Sequence, residues 1–592
     1  MTAKPSLDTA PFRDGRYAPV ELEVAYGPGD EVRLTNTTPV DDRFLTLTAP
    51  LAHWAKAAPG RVWLAERSGP GWRTLTYGEA WDRVCALAGG LQAMGLAGSR
   101  PLMILARNGI EHALIKYAAA GQAIPTAPVS PQYGLAGAIL SRLTHAAELL
   151  NPVAVFTDDA AAFADGLGAP CLAGLPVIAA AHPRPGDVAL DDLARMAAPA
   201  APTARPGDHA QYLLTSGSTG HPKAVIFLHQ GICLNSAQIT GCFNDPEPPV
   251  MLDSAPWSHS MGANSILHMT AHRGGTLYID AGQPTAARFG TTLENLRMVS
   301  PTVHNMVPAG WALFAEALEA DAALARTFFA QVRHIQYGGS ALGQAVADRI
   351  EAVAVRTVGE KISFSSGFGS TETGPRASQV FWANDRVGLV GLPIPGTSIR
   401  LVPDGGKLEV RVKGPQVTEG YLGRPDLTAL AFDEQGYYRM GDAARLVDPQ
   451  NVRLGLAFDG RLSENFKLSS GTFVNVGELR IAAVSAIGGA VTDAVVCGEG
   501  EDAPGMLLYP SPTLPRDEVV EAARAGLARL NAEAKGAGGR VARALVLPDG
   551  PDANAGEITD KGYISQSLAR RRREADARRL YADPPDRDVL TF

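Results

Sequence analysis

Between Thr215 and Lys223 the chain reads Thr215-Ser216-Gly217-Ser218-Thr219-Gly220-His221-Pro222-Lys223, hydroxyls and glycines closed by one amine. Such a run suits a polyphosphate. Glycine leaves backbone N–H groups open to close approach, hydroxyls add donors, and lysine contributes a point charge. A solitary Ser-Gly-Ser is ordinarily a solvated turn, so the length of the run and its Pro-Lys ending carry the reading. A P-loop is excluded: it needs Gly-Lys-Ser/Thr, whereas Pro222 precedes Lys223 and Ala224 follows it. Apolar Tyr212-Leu213-Leu214 before the run and Ala224-Val225-Ile226-Phe227 after it make it a hairpin-like loop between two buried strands.

Other stretches offer complementary groups. Gly367-Phe368-Gly369-Ser370-Thr371-Glu372 places an aromatic ring, a hydroxyl and a carboxylate together. The ring can stack on a base, the hydroxyl can donate to phosphate, and the carboxylate is a hard oxygen ligand for Mg²⁺. Taken alone, it also reads as a tight turn with a helix cap. Pro256-Trp257-Ser258-His259-Ser260-Met261-Gly262 sets a histidine ahead of an apolar helix, and a lone histidine is more often structural than catalytic. Ile335-Gln336-Tyr337-Gly338-Gly339-Ser340 puts bare backbone after a strand, where a planar group could lie. Ser340 lacks the preceding acidic residue usual at a phosphopantetheine attachment site.

In this order the runs resemble the signatures of the adenylate-forming superfamily, which includes acyl- and aryl-CoA synthetases, luciferases and peptide-synthetase adenylation domains. The resemblance spans roughly residues 50 to 575. It implies that Thr215, Ser216, Gly217, Ser218, Thr219, Gly220 and Lys223 grip the phosphates of ATP, and that Gly339 and Ser340 border the adenine. Phe368 stands where a stacking Tyr is usual; Thr371 meets the α-phosphate and Glu372 binds Mg²⁺. In Tyr437-Tyr438-Arg439-Met440-Gly441-Asp442, Asp442 matches the ribose-binding carboxylate, with Met440 where Thr is usual. Asp459 matches the hinge, and Arg461 reaches ribose or phosphate. Lys467 and Gly471 belong to a loop lining the path of coenzyme A. Lys561 matches the adenylation lysine, although Asp560 replaces the common glycine before it. By the same resemblance His259, Met306, Val307, Tyr337, Gly338 and Gly367 line the acid pocket.

The words Phe466-Lys467-Leu468-Ser469-Ser470-Gly471-Thr472-Phe473-Val474 and Ile558-Thr559-Asp560-Lys561-Gly562-Tyr563-Ile564 are similar to those of feruloyl-CoA synthases. This implies ATP-dependent joining of a hydroxycinnamic acid (ferulate, also caffeate or p-coumarate) to coenzyme A, in the catabolism of lignin-type aromatics. Another aromatic or medium-chain acid is the alternative. A carrier-protein-dependent adenylation enzyme and a non-catalytic nucleotide sensor are the rival classes. No carrier segment follows the small domain, and Lys223, Glu372, Asp442, Arg461 and Lys561 are all present, which speaks against both. A homodimer is a family-level expectation.

The elements that must position these groups follow from length and patterning. With 592 residues, several domains or subdomains are expected. A composition of 46% hydrophobic and 19% charged residues is that of a soluble globular chain, and a net charge of -8 argues against a nucleic acid or an anionic membrane as the main partner. The cysteines Cys85, Cys171, Cys233, Cys242 and Cys497 are scattered without metal-ligand spacing, which fits a reducing compartment. With no leader and no long apolar span, a cytoplasmic protein is expected.

The first 45 or so residues, rich in Pro, Asp and Thr, read as an irregular surface arm. Thr76 and Glu79 form a capping box before a helix ending near Met94, and apolar strands alternate with helices through residues 101–185. That is an α/β pattern with a helix-covered parallel sheet. The resemblance extends it to two α/β subdomains plus a small β-barrel-like subdomain in residues 1–458, followed by a small mobile α+β domain in residues 459–592. The Arg570 to Arg573 run reads as a solvated helix face.

Overall fold

In the computed structural model the structure describes residues 7–592 apart from 139, 217–221, 286, 339–341, 405, 463, 535, 553–556 and 558–563. The alternation of apolar strands and helices builds a seven-stranded sheet. Its order is Pro222–Leu228, His209–Ser216, Thr126–Pro128, Leu102–Ile104, Ala154–Asp159, Val177–Ala181, Val188–Ala189. All pairings in it are parallel except the hairpin of the first two strands. The helix Tyr77–Ala93 begins at the expected capping box, with Thr76 and Glu79 exchanging bonds. The helix Ile110–Gly121 is buried along almost its whole length, as a helix between two sheets must be.

Two smaller sheets complete the α/β part. Val250–Asp253, Thr276–Ile279, Val62–Ser68 and Gly71–Thr76 form one, and Val303–Met306, His334–Tyr337 and Ser363–Phe364 form a parallel three-stranded one. A nine-stranded antiparallel sheet runs from Leu22–Tyr26 through Ser398–Asp404, Lys407–Lys413, Tyr438–Leu446 and Leu456–Arg461 to Gly367–Phe368. Here the expectation for the N-terminal arm fails. Leu22–Tyr26 and Val32–Asn36 are paired strands, and Val32–Asn36 is hydrogen-bonded along Ser398–Asp404. The alternation Val32, Leu34, Asn36 points inward, a period-two signal too short to stand out among prolines and aspartates.

Residues 466–592 pack among themselves. Val491–Cys497, Gly505–Pro510, Arg543–Val546 and Val589–Thr591 form a four-stranded mixed sheet, with helices Val476–Ile487 and Arg516–Glu533 packed together. Two hydrophobic clusters, one around Val496, Leu508 and Leu527 and one around Leu507, Leu545 and Leu580, are drawn wholly from this segment. Asp459 and Gly460 lie within the strand Leu456–Arg461, whose Arg461 pairs with Asp442. No described helix is long and apolar enough to cross a membrane.

Candidate functional site

The hairpin places Thr215 opposite Lys223. Gly217, Ser218, Thr219 and Gly220 lie outside the described residues, as does the side chain of Ser216. The Thr215 hydroxyl is buried with no hydrogen-bond partner among the described residues, an acceptor-ready donor at the mouth of the loop. The Lys223 ammonium lies 4.1 Å from the centroid of the Tyr421 ring, within cation–π range. Tyr421 in turn donates its hydroxyl to Glu372 Oε1 at 2.9 Å. Burial, and then the Glu372 charge, push the Tyr421 phenol up out of its ordinary range, so it stays protonated and donating at neutral pH.

The segment around Tyr421 ties the hairpin to the Glu372 turn. Ile226 donates its N–H to Gly420 at 3.1 Å, and Leu422 to Ala224 at 2.9 Å. Thr418 donates its N–H to the Glu372 carbonyl at 2.8 Å and its hydroxyl to the Ile226 carbonyl at 2.7 Å. Thus the outgoing strand of the hairpin and the Thr371–Thr373 turn share one backbone staple. Thr371 and Glu372 are both buried, and the Thr371 hydroxyl lies 3.3 Å from Ser260 Oγ.

A second support reaches the same turn from inside. Lys116, with no exposed surface, donates to Gln211 Oε1 at 2.6 Å; Gln211 Nε2 donates to Asn264 Oδ1 at 2.6 Å; Asn264 Nδ2 donates to the Gly374 carbonyl at 2.9 Å. An ammonium only donates, so it fixes the orientation of both amides. Burial alone lowers the Lys116 amine to about 7.

His259 is half-buried in the turn before Met261–His268, a stretch of π-helix, and its carbonyl accepts from Ala263 N at 2.9 Å. Widened turns of this kind concentrate at functional sites. Met261 then reaches the three-stranded sheet, where Asn305 Nδ2 lies 3.6 Å from its sulfur. Met306 is buried at the end of Val303–Met306, and half-buried Val307 caps the helix Pro308–Ala320. Tyr337 is buried, its hydroxyl accepting from Gly388 N at 2.9 Å, so its polar end is engaged by backbone. Gly338 is half-buried beside Met261, and Gly339 and Ser340 lie outside the described residues.

The residues expected on the nucleotide side come from the nine-stranded sheet. Phe368, half-buried, has its ring centroid 6.1 Å from that of Phe458, itself an exposed aromatic. Asp442 Oδ1 lies 3.3 Å from Arg461 Nε across adjacent strands. The carboxylate is buried while the guanidinium is largely exposed. Asp459 is held by Lys407, whose Nζ is 3.3 Å from Asp459 Oδ1. Lys467 is exposed and Gly471 occupies the tip of a turn with φ +79°, Gly471 N donating to the Leu468 carbonyl at 2.8 Å. A left-handed tip of this kind favours glycine.

Lys561 lies outside the described residues. The residue before its segment, Glu557, is buried and pairs with Arg573 at 2.7 Å, while its carbonyl accepts from Ser565 N at 2.9 Å. The Arg570 to Arg573 run is therefore no simple solvated face. Arg573 is mostly buried against Glu557 and Asp549, and Arg570 lies over the Phe466 ring. Successive helical residues point about 100° apart around the axis, so a run of four arginines cannot keep to one outward face.

Sequence reasoning missed Tyr421, Lys116 and Arg376. Tyr421 follows a glycine in a loop with no distinguishing pattern. Lys116 interrupts an otherwise uncharged helical run, Ala113 to Ala120, and Arg376 is the lone charge between Thr373 and Asn384. A fixed charge in an apolar stretch was the available signal.

Comparison with known proteins identifies the family. The model of the AMP-binding enzymes matches residues 51–422, and that of the AMP-binding enzyme C-terminal domain matches residues 470–584. A carboxylic acid reductase of Mycobacterium tuberculosis is 29% identical over 69% of this chain and 38% of its own length. A feruloyl-CoA synthase of an Amycolatopsis species is 27% identical over 63% of this chain and 72% of its own. The chain thus spans well under half the length of the reductases it matches. Among solved structures, ATP-bound MatB from Rhodopseudomonas palustris superposes with a TM-score of 0.71 at 20% identity, over 90% of this chain and all of that one.

Proposed function

Because the chain belongs to the AMP-binding enzymes of the adenylate-forming superfamily, we propose that it joins a carboxylic acid to coenzyme A through an acyl-adenylate, releasing AMP and pyrophosphate. The preferred acid in this reading is a hydroxycinnamate, ferulate with caffeate or p-coumarate. The observation that carries it is the convergence of the hairpin cation Lys223, the carboxylate Glu372 and the hydroxyls of Thr371 and Ser260, joined through Tyr421 and direct contact.

The acid's carboxylate attacks the α-phosphorus in line, so the protein's task is to position reactants and offset charge. The hairpin and Lys223 hold the β- and γ-phosphates, Thr371 donates to the α-phosphate, and Asp442 accepts from the ribose. Phe368 stacks on adenine. Lys561 adds its charge at the reacting phosphate, and the half-buried His259 borders the acid's carboxylate. A divalent cation fits Glu372, since one carboxylate oxygen is oriented by Tyr421 and Mg²⁺ takes one or two carboxylates together with substrate phosphates. When bound it would offset charge on the phosphate oxygens. For thioester formation, residues from Asp459 onward rotate about the Asp459 hinge, replacing Lys561 by the Gly471 loop and Lys467 beside coenzyme A.

The likeness to carboxylic acid reductases favours one second reading, an adenylating unit whose acyl group passes to a partner other than coenzyme A. ATP–pyrophosphate exchange with and without ferulate, followed by coenzyme A consumption, tests both. Exchange with coenzyme A consumption supports the ligase, exchange without it supports the second reading, and no exchange with any acid overturns both.

A further inference from the structure

The acid-pocket face of the three-stranded sheet carries a cation with no counter-charge. Arg376 is 8% exposed, and its guanidinium donates from NH1 to Gln379 Oε1 at 2.6 Å and from NH2 to Gln336 Oε1 at 3.4 Å. Both partners are neutral, and among the described residues no carboxylate is recorded as pairing with it. Burial lowers the guanidinium to about 10, which still leaves it charged at neutral pH, and the one titratable neighbour that raises it is the buried thiol of Cys242.

Its position follows from register. Asn305 and Gln336 are cross-strand partners in parallel strands, so their side chains share a face. Asn305 meets the Met261 sulfur on that face, and a Cβ at Gly338 would lie 3.5 Å from the same sulfur. Arg376 approaches Gln336 from that face too. Gly367 makes room for it, since a Cβ there would come within 2.6 Å of Arg376 Nε. The cation therefore lies against Gly367 and bonds Gln336, the cross-strand partner of the Asn305 that meets Met261.

We infer that Arg376 selects the acid: its guanidinium receives a second oxygen acceptor, a carboxylate or phenolic oxygen, carried by the substrate away from the reacting carboxyl. This rests on the adenylation reading and names the substrate class within it. A buried charge without a partner is costly, and a guanidinium fork with only part of its five donors engaged matches an incoming carboxylate or oxygen. An apolar acid would leave that charge uncompensated, and sites built to bond a polar group reject analogues lacking it far more sharply than apolar pockets do.

The test compares cinnamate, 4-hydroxycinnamate and 4-carboxycinnamate in ATP–pyrophosphate exchange and, independently of turnover, in thermal-shift binding. The wild type should favour at least one substituted acid over cinnamate by about tenfold or more in kcat/KM; which of the two wins identifies the acceptor. R376M should abolish that preference while cinnamate itself is still adenylated, and R376K, keeping the charge without the fork, should retain part of it. Loss of activity by R376M toward all three acids equally would assign Arg376 to the reacting carboxyl and overturn the inference. So would a preference unchanged in R376M, or wild type treating the three alike. If R376M does not fold, G367A, which pushes on the guanidinium without removing charge, should blunt the preference; an unaltered preference there counts against the inference. Absence of exchange with any acid would sink the adenylation reading, and acid binding would still report on Arg376.

Discussion

Lys223 and Tyr421, almost two hundred residues apart in sequence, meet with the ammonium 4.1 Å from the ring centroid, and the same tyrosine holds Glu372 through its hydroxyl. One side chain thus couples the hairpin cation to the Glu372 carboxylate. Its two interactions are separable. Y421F keeps the ring and removes the bond to Glu372, and a hydrogen bond to a charged group is worth about 1.5–3 kcal/mol, so exchange should slow by about tenfold or more. Y421L removes both contacts and should also raise KM for ATP. Kinetics at varied ATP and Mg²⁺ check this; equal effects of the two variants would mean the ring does not position Lys223.

How much of this was legible in the sequence depends on how local the signal is. Thr215 to Lys223, Phe368 to Glu372 and Asp442 are runs whose chemistry is contained in a few neighbouring residues, and the hairpin and capping box formed where read. Tyr421, Lys116 and Arg376 act across long sequence separations, and nothing beside them announces a partner. The first strand, Leu22–Tyr26, pairs with Val32–Asn36, which in turn pairs with the distant Ser398–Asp404, a contact that local propensity does not encode. The arginine run was misread for the same reason: Glu557 and Asp549, which bury Arg573, come from an earlier loop.

Asp442 sits buried with Arg461 3.3 Å away, and in the proposed reading its carboxylate accepts from the ribose. D442N keeps shape and removes charge. It should raise KM for ATP by about tenfold to a hundredfold, the range for losing charge-assisted bonds, and leave KM for the acid near wild type. Substituting 2′-deoxyATP in the wild type should mimic part of the loss. A D442N enzyme with unaltered KM for ATP would remove Asp442 from the nucleotide site.

The two half-reactions should respond to different loops. K561A should lose adenylation by about a hundredfold or more, as loss of a transition-state charge contact does, while still converting supplied feruloyl-adenylate and coenzyme A to thioester. G471W should do the reverse. Gly471 has φ +79° with open space around it, so a large residue strains the tip of that one turn and obstructs whatever the loop faces. Rapid-quench measurement of each step separates the two. Equal impairment of both steps by either variant would contradict rotation about Asp459.

Acid should unfold this protein through its buried histidines. Burial lowers His112 and His304 to about 3 and His229, His272 and His334 to about 4, and pushes His268 well down. In each the folded value lies below the unfolded one, so the unfolded chain binds protons that the folded chain refuses. Stability is therefore intact above pH 6.5 and falls as pH drops from there toward 4, by about 1.4 kcal/mol per pH unit for each such histidine. His304 is the cleanest to isolate, since it packs against Trp311, Phe314 and Phe328 with ring centroids 5.5, 6.1 and 5.4 Å away. An aromatic of similar shape can occupy that space. H304F should match wild type near pH 7.5 and exceed it by about 2 kcal/mol at pH 5, the urea-derived gap opening at about 1.4 kcal/mol per pH unit below pH 6.5. Parallel stability curves for the two proteins would show that His304 takes up its proton without unfolding.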